Sequence, residues 1–397
     1  MKIAHIVRRF SFKEWGGTET AVWNIALQQR AQGWVPEILC TAALDKIGDE
    51  MAEGIAIRRF PYFYPYFPLP ASDRLALDKK GGNPYAPRLI DVLKNGDYNI
   101  FHIHTGGRLA RYSAMTGRKR GIPSVMSLHG GSCTIPRQEL ELMLKPLKHK
   151  VSYGGLFDRI YLGTAPPEML ADLLLALNKE EAAALKRQFP AQKVQVFPNG
   201  VLHRNLPEVG EFRRKYHIPE ATALILCVSR IDYQKNQKLL IDLLACTKET
   251  HLLLIGSITA KWYYEELLQH AEKLHVSNRL TVIPGLLPDS VELLQAFKTA
   301  DCFVLPSHHE PFGIVALEAL DAGIPLIAAN VGGLKDFLRD GQNALLFDDN
   351  DIESLLKAYQ KMDPLRKQLV SNGKVTAKEY HWETLVGTLN GMYQELL

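Results

Sequence analysis

Two glutamates that enclose a short segment are the residues of this chain whose types and spacing best suit chemistry. Glu310 and Glu318 end the segment EPFGIVALE. The preceding apolar run, Cys302–Leu305, predicts a buried strand, and Gly313–Leu320 predicts a helix that Gly323 ends. Glu310 would therefore lie at the carboxyl end of a strand, where open α/β sheets bind ligands, and Glu318 would face the same crevice. We expect that crevice to take a ligand with two polar ends, such as a nucleotide sugar.

The spacing of the two carboxylates disfavours one familiar use of an acid pair. A fully helical segment would separate their backbones by about 12 Å, whereas the carboxyl pairs of glycoside hydrolases lie roughly 5 to 9.5 Å apart. Side chains can narrow such a gap, and most acids at this spacing are simply solvated. The bare N–H groups of Phe312 and Gly313, at the predicted helix start, offer a site for an anion or a hydroxyl. This favours a ligand-binding role for the segment.

Further polar residues are predicted at the ends of other strands. Arg230 and Lys235 follow the first strand of the second half, where they can converge on one phosphate group. Gly16 and Gly17 open the first helix and let an anion approach the backbone. His129 follows a strand and precedes two glycines, so it can reach into the same cleft. Each has a plainer alternative: a solvated cation, a tight turn or a locally packed histidine.

Two phosphate-binding motifs do not occur in the sequence. Neither GxGxxG nor GxxxxGK[ST] is found, so dinucleotide binding and ATP hydrolysis lose support. His102 and His104 alternate along a predicted strand, and we expect them to pack or hydrogen-bond locally rather than to bind a metal.

Strands that alternate with helices must position these residues. The 397 residues exceed one ordinary core, so we predict an α/β protein of two doubly wound parallel-sheet domains, residues 1–202 and 203–377. Helices are predicted at Thr20–Gln32, Gln237–Thr247 and Tyr263–Leu274. The predicted strands are Ile3–Val7, Glu37–Thr41, Ile100–His104, Ser124–Leu128, Arg159–Leu162, Val194–Phe197, Ala223–Ser229, His251–Ile255, Leu280–Ile283, Cys302–Leu305 and Pro325–Ala329.

The segment from Phe60 to Pro87 interrupts this alternation. It contains FPYFYPYFPLP and KKGGNPYAP, and so many aromatic residues argue against disorder. We predict a long ordered loop near the side that accepts the substrate. A packed surface loop without a ligand is an equal alternative.

Composition bounds the class of protein and its surroundings. A 46% apolar and 23% charged chain with a net charge of +4 is ordinary for a soluble globular protein and gives no argument for nucleic acid. Five scattered cysteines predict free, mostly buried thiols in a reducing compartment. Without a signal peptide or an apolar run of about 20 residues, we expect a cytoplasmic protein. The basic clusters Arg118–Arg120 and Lys145–Lys150 are solvated faces by default, or else attract an anionic acceptor or an anionic membrane leaflet.

Taken together, these motifs resemble the retaining glycosyltransferases of family 4, which have the GT-B architecture of two facing Rossmann-like domains. The resemblance covers nearly the whole chain. It also includes a terminal helix at about 378–397, which packs back on the first domain in that family. Its further motifs are Pro198-Asn199-Gly200, Val331-Gly332-Gly333, Asp340-Gly341-Gln342-Asn343 and Trp382-Glu383.

The resemblance implies a role for each candidate residue. Arg230 and Lys235 would hold the diphosphate of a UDP- or GDP-linked sugar, with Gly16 and Gly17 close to it. Glu318 would bind the ribose hydroxyls. The catalytic candidates are Glu310 beside the donor sugar and His129 near the sugar's C6 side or the acceptor. The N–H groups around three residues would meet sugar hydroxyls or phosphate, namely Phe312, Gly313 and Ile314.

The resemblance also implies the type of reaction and the partners. It predicts a hexosyltransferase that retains configuration and needs neither a metal nor another cofactor. The cationic pair would stabilise the departing diphosphate. The expected acceptor is a sugar, a lipid-linked hydroxyl or a small molecule in glycan, polysaccharide or glycolipid assembly. The chain departs from the family pattern where Leu202-His203 replaces an acidic residue and Ala344 replaces a glycine. The alternatives are a GT-B phosphorylase or epimerase, and a non-catalytic partner that binds nucleotide sugars.

Overall fold

The computed structural model describes residues 1–13, 16–129, 147–148, 150–159, 165–287 and 290–397. The chain forms two compact units. The first unit combines Met1–Asn199 with Trp382–Leu397, and the second is Gly200–His381. No helix of the described residues has both the length and the apolar character that a membrane span needs.

The first unit is built on an eight-stranded sheet with the order β10-β9-β7-β6-β1-β2-β4-β3. All neighbouring strands pair in parallel except β3, which is antiparallel to β4 at the edge. Strands β5 and β8 form a separate antiparallel pair. The strands are β1 Lys2–Arg9, β2 Val35–Thr41, β3 Gly48–Ala52, β4 Ile55–Phe60, β5 Tyr66–Phe67, β6 Ile100–Ile103, β7 Ser124–Ser127, β8 Val151–Ser152, β9 Leu173–Ala176 and β10 Val194–Val196.

Helices accompany this sheet, and their ends follow local sequence signals. Asn178 caps one of them by accepting a hydrogen bond from the backbone N–H of Glu181, and Gly121 ends another in the left-handed conformation. The helices are α1 Gly17–Ala31, α2 Ala71–Lys79, α3 Pro87–Asn95, α4 Gly107–Arg120, α5 Gly154–Phe157, α6 Lys179–Gln188 and Trp382–Gln394, with a 3-10 turn at Pro167–Met169.

The second unit is built on a fully parallel six-stranded sheet with the order β13-β12-β11-β14-β15-β16. Its chain order reverses between β11 and β14, and in such sheets ligands bind outside the carboxyl ends of the strands at this point. The first unit reverses in the same way between β1 and β6. The strands are β11 Ala223–Val228, β12 Thr250–Ile255, β13 Leu280–Ile283, β14 Cys302–Leu305, β15 Leu326–Ala329 and β16 Leu345–Phe347.

The helices of the second unit enclose a core of buried Leu, Ile, Val and Phe side chains. The long helix α12 carries Pro364 in its interior. The helices are α7 Phe212–Lys215, α8 Gln237–Cys246, α9 Lys261–Lys273, α10 Val291–Thr299, α11 Ile314–Ala322 and α12 Ile352–Glu379, and Trp382–Gln394 of the first unit becomes α13. The 3-10 turns are Tyr233–Lys235, Ser277–Arg279 and Gly332–Asp336.

The predicted alternation of strands and helices is confirmed, with specific omissions. The prediction missed β9, a fully buried central strand, because its Leu- and Ala-rich sequence suits a helix equally well. It also missed three strands near the sheet edges, namely β3, β4 and β16. The strand predicted at Arg159–Leu162 falls, apart from Arg159, outside the described residues.

The prediction of one irregular loop over residues 60–87 is wrong, because the segment contains β5 and α2. A single aspartate organises it. The hydroxyl groups of Tyr62 and Tyr64 donate to Oδ1 of Asp78 at 2.7 and 2.9 Å, and Nη1 of Arg8 donates to the Asp78 carbonyl at 2.8 Å. The aromatic residues therefore serve first to fold the segment. Its place beside an acceptor stays a prediction.

Three of the four described cysteines are free and buried as predicted, namely Cys40, Cys227 and Cys302. Cys246 is exposed, which corrects the prediction, because it is the last residue of α8 and its side chain leaves the apolar face. Cys133 lies outside the described residues.

The basic cluster Arg118–Arg120 serves the fold. Nη2 of Arg118 donates to the carbonyl of Met169 at 3.0 Å, and Nη1 of Arg120 donates to the carbonyls of Leu93 and Gly96 at 2.6 and 2.7 Å. These two cations therefore satisfy carbonyl groups within the unit.

The second basic cluster, Lys145–Lys150, lies largely outside the described residues. Its described Lys150 forms an ion pair with Asp73 at 2.7 Å.

Candidate functional site

An ion pair joins the two loops at the reversal point of the second sheet. Nζ of Lys235, in the loop after β11, donates to Oε2 of Glu310, in the loop after β14, at 2.6 Å. The side chains are only 14% and 11% exposed. Ser307 Oγ donates to the same carboxylate oxygen at 3.5 Å. The structure thus brings together the predicted diphosphate-binding lysine and the predicted catalytic acid.

The loop that carries Lys235 is shaped by local hydrogen bonds. Asp232 begins the 3-10 turn and accepts a hydrogen bond from the N–H of Gln234 at 3.1 Å. The fully buried Gln237 donates through Nε2 to Ser229 Oγ at 2.9 Å and to the Arg230 carbonyl at 2.7 Å. Gln237 therefore fixes the loop backbone from its buried side. The side chain of Arg230 is exposed. The role of Gln237 was not predicted from the sequence.

Backbone contacts hold Glu310 on the other side. The N–H of Gly333 donates to the Glu310 carbonyl at 2.9 Å. A Cβ on Gly332 would lie 2.2 Å from that same carbonyl oxygen, and one on Gly333 would lie 2.2 Å from the oxygen of Pro311. Only glycines permit this approach, and Gly332 also has a positive φ of 49°. The Val331-Gly332-Gly333 motif therefore positions the acid.

The start of α11 presents backbone rather than side chains. Gly313 has φ 95° and precedes Ile314, the first residue of the helix. Phe312 is only 3% exposed and packs against Phe337 and Tyr380, with ring centroids 5.5 and 6.1 Å apart. Its side chain is therefore part of the core. Since the N–H groups of a first helical turn have no partner within the helix, they are the part of this segment suited to an anion.

Glu318, on α11, has a cationic partner of its own. Nη1 of Arg204 donates to Oε1 of Glu318 at 3.0 Å, and both side chains are about one-fifth exposed. The two glutamates of the segment thus pair with different cations. Sequence reasoning missed Arg204, although its position just after the Pro198-Asn199-Gly200 turn was available as a signal.

In the first unit, Gly16 and Gly17 lie at the start of α1, beyond the end of β1. Gly16 is the residue that precedes the helix, and a Cβ on Gly17 would meet no atom of the described residues within 4 Å. The nearby Glu19 is buried and pairs with Arg9 at 3.5 Å. Among the described residues, none fills the space beside Gly17 at the helix start. Trp15, which precedes the glycines, lies outside the described residues.

His129, just beyond β7, is held by another histidine. Its Nε2 lies 3.0 Å from Nδ1 of His104, and the two rings stack with centroids 5.2 Å apart. His129 has a φ of 50°, a left-handed conformation that is uncommon for a residue with a side chain. Burial lowers its pKa to about 4, so the ring is neutral at pH 7. The following Gly130 lies outside the described residues.

Two groups of described residues have the side chains and closeness that a metal site needs: His5 with His102 and His104, and His203 with Asp321 and His381. In the first group all six ring nitrogens already have hydrogen-bond partners, so none offers a free lone pair. His102 and His104 thus hydrogen-bond locally, as predicted.

The second group has the two imidazoles and one carboxylate that zinc accepts. Its geometry is also that of ordinary hydrogen bonds. Oδ1 of Asp321 lies 3.1 Å from Nδ1 of His203 and 2.8 Å from Nε2 of His381.

Comparisons with known proteins bear on the identity of this arrangement. Residues 15–203 match the family model described as Glycosyltransferase Family 4, and residues 208–375 match the model described as Glycosyl transferases group 1. A D-inositol 3-phosphate glycosyltransferase from Acidothermus cellulolyticus is 26% identical and covers 96% of this chain and 86% of its own length. A sulfoquinovosyl transferase from Arabidopsis thaliana is also 26% identical, over 96% of this chain and 71% of its own length.

The fold has matches among solved structures. A structure of the Anabaena protein HepE in complex with UDP and glucose superimposes with a TM-score of 0.70 over the whole of both chains, at 20% sequence identity. At 20% sequence identity, this structural similarity shows that the two proteins share a fold.

Proposed function

The chain belongs to the group 1, family 4 glycosyltransferases with the GT-B fold, and we propose that it moves a hexose from a UDP- or GDP-linked sugar to a hydroxyl acceptor with retention of configuration. The two family models together account for nearly all of the chain. That it is a glycosyltransferase using a nucleotide sugar is the shared property of this family. The donor, the stereochemistry and the acceptor are the proposed part.

One observation carries the donor proposal: the ion pair of Lys235 and Glu310 at the reversal point of the second sheet. A buried cation needs a partner at all times, and removing the partner of such a pair typically costs about 3 to 5 kcal/mol. An incoming diphosphate offers Lys235 a new anionic partner. Glu310 would then be free to turn towards the sugar. The exposed Arg230 in the same loop would supply bidentate hydrogen bonds to phosphate oxygens.

The remaining contacts are proposed from the resemblance to the family. Glu318, held by Arg204, would accept hydrogen bonds from the ribose hydroxyls. The first-turn N–H groups at Gly313 and Ile314 would bind a phosphate oxygen or a sugar hydroxyl. In the first unit, we propose Gly17 as a diphosphate-binding residue and His129 as a sugar- or acceptor-binding residue, because the resemblance to the family implies these roles.

The proposed mechanism is a front-face displacement in which the acceptor hydroxyl attacks from the side that the diphosphate leaves. Lys235 and Arg230 would neutralise the charge that develops on the departing diphosphate, which is the work a metal ion does in other enzymes. We therefore propose a reaction without a metal.

The acceptor and setting are proposed more broadly. Two relatives of equal identity bear the names of different transfers, so the donor sugar and acceptor do not follow from similarity. We propose a sugar, lipid-linked or small-molecule hydroxyl in polysaccharide or glycolipid assembly. A cytoplasmic reaction fits the free thiols of Cys40, Cys227 and Cys302, because such thiols persist in reducing compartments.

Calorimetric titration with UDP and GDP tests the donor site. We expect one nucleotide to bind the wild-type protein, and Lys235→Met to weaken that binding about 10-fold or more, since a hydrogen bond to a charged group contributes about 1.5 to 3 kcal/mol. Lys238→Met is the matched control, because Lys238 lies three residues further on and pairs with Glu266 at 2.7 Å.

Two results would contradict the donor proposal. One is the absence of binding by either nucleotide at millimolar concentration. The other is equal binding by the two lysine variants. With the nucleotide that binds, Glu310→Gln should keep the affinity and lose transfer, because it removes the acid and leaves the cation in place.

A further inference from the structure

A row of hydrogen-bonded side chains extends behind His129 into the core of the first unit. Nε2 of Gln29 donates to Oδ1 of Asn390 at 3.3 Å, and Oε1 of Gln29 lies 2.8 Å from Nε2 of His5. Nδ1 of His5 lies 3.0 Å from Nε2 of His104, whose Nδ1 lies 3.0 Å from Nε2 of His129. All except His129 are at most 5% exposed. The row thus connects helix α13 to the end of β7.

The sheet register explains why the histidines meet. His5 on β1 is the register partner of His102 on β6, so the two side chains share one face of the sheet. His104 is two residues further along and emerges on the same face. Gln29 comes from α1, which covers this face together with α13.

The histidine rings of the row are neutral. Burial lowers the pKa of His5 to about 4 and that of His104 well below its ordinary value, as it does for His129. A neutral imidazole has one N–H donor and one bare nitrogen acceptor. In a row of neutral rings, the direction of one hydrogen bond therefore fixes the direction of all the others.

The carboxamide of Gln29 fixes that direction. Its NH2 group faces Oδ1 of Asn390, and Nδ2 of Asn390 in turn donates to Oε1 of Gln32 at 2.7 Å. The carbonyl oxygen of Gln29 is thereby turned towards His5, whose Nε2 must donate to it. His5 Nδ1 then accepts from His104 Nε2, and His104 Nδ1 accepts from His129 Nε2.

We infer that Gln29, His5 and His104 are positioning residues that hold His129 as the Nε2–H tautomer, with Nδ1 bare to accept a hydrogen bond from a hydroxyl group of the sugar or acceptor. Among the described residues, Nδ1 of His129 has no other partner. The inference rests on the proposed function for the nature of the hydroxyl, whereas the tautomer itself is a property of the ligand-free protein. In this tautomer, His129 favours a ligand group that donates a hydrogen bond.

Long-range proton–nitrogen NMR of the full chain, labelled at histidine nitrogens, measures the tautomer directly. We expect His129 to show a protonated Nε2 and a bare Nδ1 at pH 7, with the same pattern for His5 and His104. A protonated Nδ1 on His129 would overturn the inference. This measurement uses the wild-type protein and needs no variant.

Gln29→Leu tests the cause. Without the carbonyl at its end, the row can reverse, so that His5 donates to His104, His104 donates to His129, and His129 carries its proton on Nδ1. We expect the NMR pattern of His129 to change accordingly. The kcat/KM for transfer should fall by at most about 10-fold, the size expected for one lost hydrogen bond, and nucleotide affinity should not change. An unchanged tautomer in folded Gln29→Leu protein would refute the role of Gln29.

Ser127→Ala is the matched control. Ser127 Oγ lies 2.7 Å from Nε2 of His102, so the substitution removes a buried hydrogen bond of the same sheet that includes no member of the row. The tautomer of His129 should not change. The NMR spectrum can be measured without turnover, so the two proposals fail separately. If the protein binds no nucleotide, only the proposed function is disproved. If the protein is active but His129 carries its proton on Nδ1, only this inference is disproved.

Discussion

The buried histidines of the first unit should make its stability depend strongly on pH. His5 is 0% exposed, and burial lowers its pKa from 6.5 to about 4. Below pH 6.5 His5 becomes protonated in the unfolded chain, whereas in the folded protein it stays neutral down to about pH 4. Stability that is fully present above pH 6.5 is therefore lost as the pH falls through this window.

The size of the loss follows from the two pKa values of His5. One pKa unit corresponds to about 1.36 kcal/mol, so the full shift represents about 3 kcal/mol, of which about 2 kcal/mol should be lost by pH 5. The pKa values of His102 and His104 are lowered in the same direction, so the total loss should exceed the share of His5.

Urea unfolding followed by tryptophan fluorescence at pH 7 and pH 5 measures this loss. The fluorescence reports mainly on the first unit, which holds Trp23, Trp34 and Trp382, whereas the second holds Trp262. We expect His5→Gln, which is neutral at both pH values, to lose about 2 kcal/mol less than the wild-type protein between them.

The control for this experiment is Ser113→Ala, which removes a buried hydrogen bond of the first unit, from Ser113 Oγ to the Leu109 carbonyl at 2.8 Å, but no titratable group. It should reproduce the wild-type pH dependence. Equal losses in wild type and His5→Gln would refute the reasoning, because His5 would then titrate alike in the folded and unfolded states.

Two further predictions concern the second unit. Gly332→Ala should destabilise it by about 1 to 3 kcal/mol more than Gly341→Ala, as measured by urea unfolding followed by circular dichroism. Both positions have positive φ, but only at Gly332 would the new Cβ clash with another atom, the Glu310 carbonyl oxygen. Equal losses of stability in the two variants would contradict this close packing. Whichever of UDP and GDP binds the wild-type protein should bind about 10-fold more tightly than its 2′-deoxy form, and Glu318→Gln should lose most of this preference in calorimetry. A preference that survives the substitution would show that Glu318 does not contact the ribose.

Sequence periodicity was sufficient for the strands that carry the site but not for all of the sheet. The strand before Glu310 is a short run of buried apolar residues ended by Pro306, and such a run with clear boundaries suits a parallel strand. Strand β9 has an apolar run too, but its Leu and Ala residues favour a helix. Its pairing with β7 and β10 decides its structure.

The candidate site was predictable as residue types at strand ends, not as contacts. Lys235 and Glu310 are 75 residues apart, and their ion pair depends on β11 and β14 being neighbours, which only the strand order establishes. The link from His5 to His129 likewise depends on the register of β1 against β6. The local sequence contains neither kind of information.

The most direct test of the proposed function is the configuration of the sugar that leaves the donor. The nucleotide sugar that binds is incubated with the protein in EDTA, with or without an acceptor, and the first product is followed by proton NMR of its anomeric signal. From an α-linked donor we predict an α-linked product, or α-sugar released first to water, in wild-type protein and not in Glu310→Gln. A β-product, or turnover that requires an added divalent metal, would contradict the proposed retaining, metal-independent transfer.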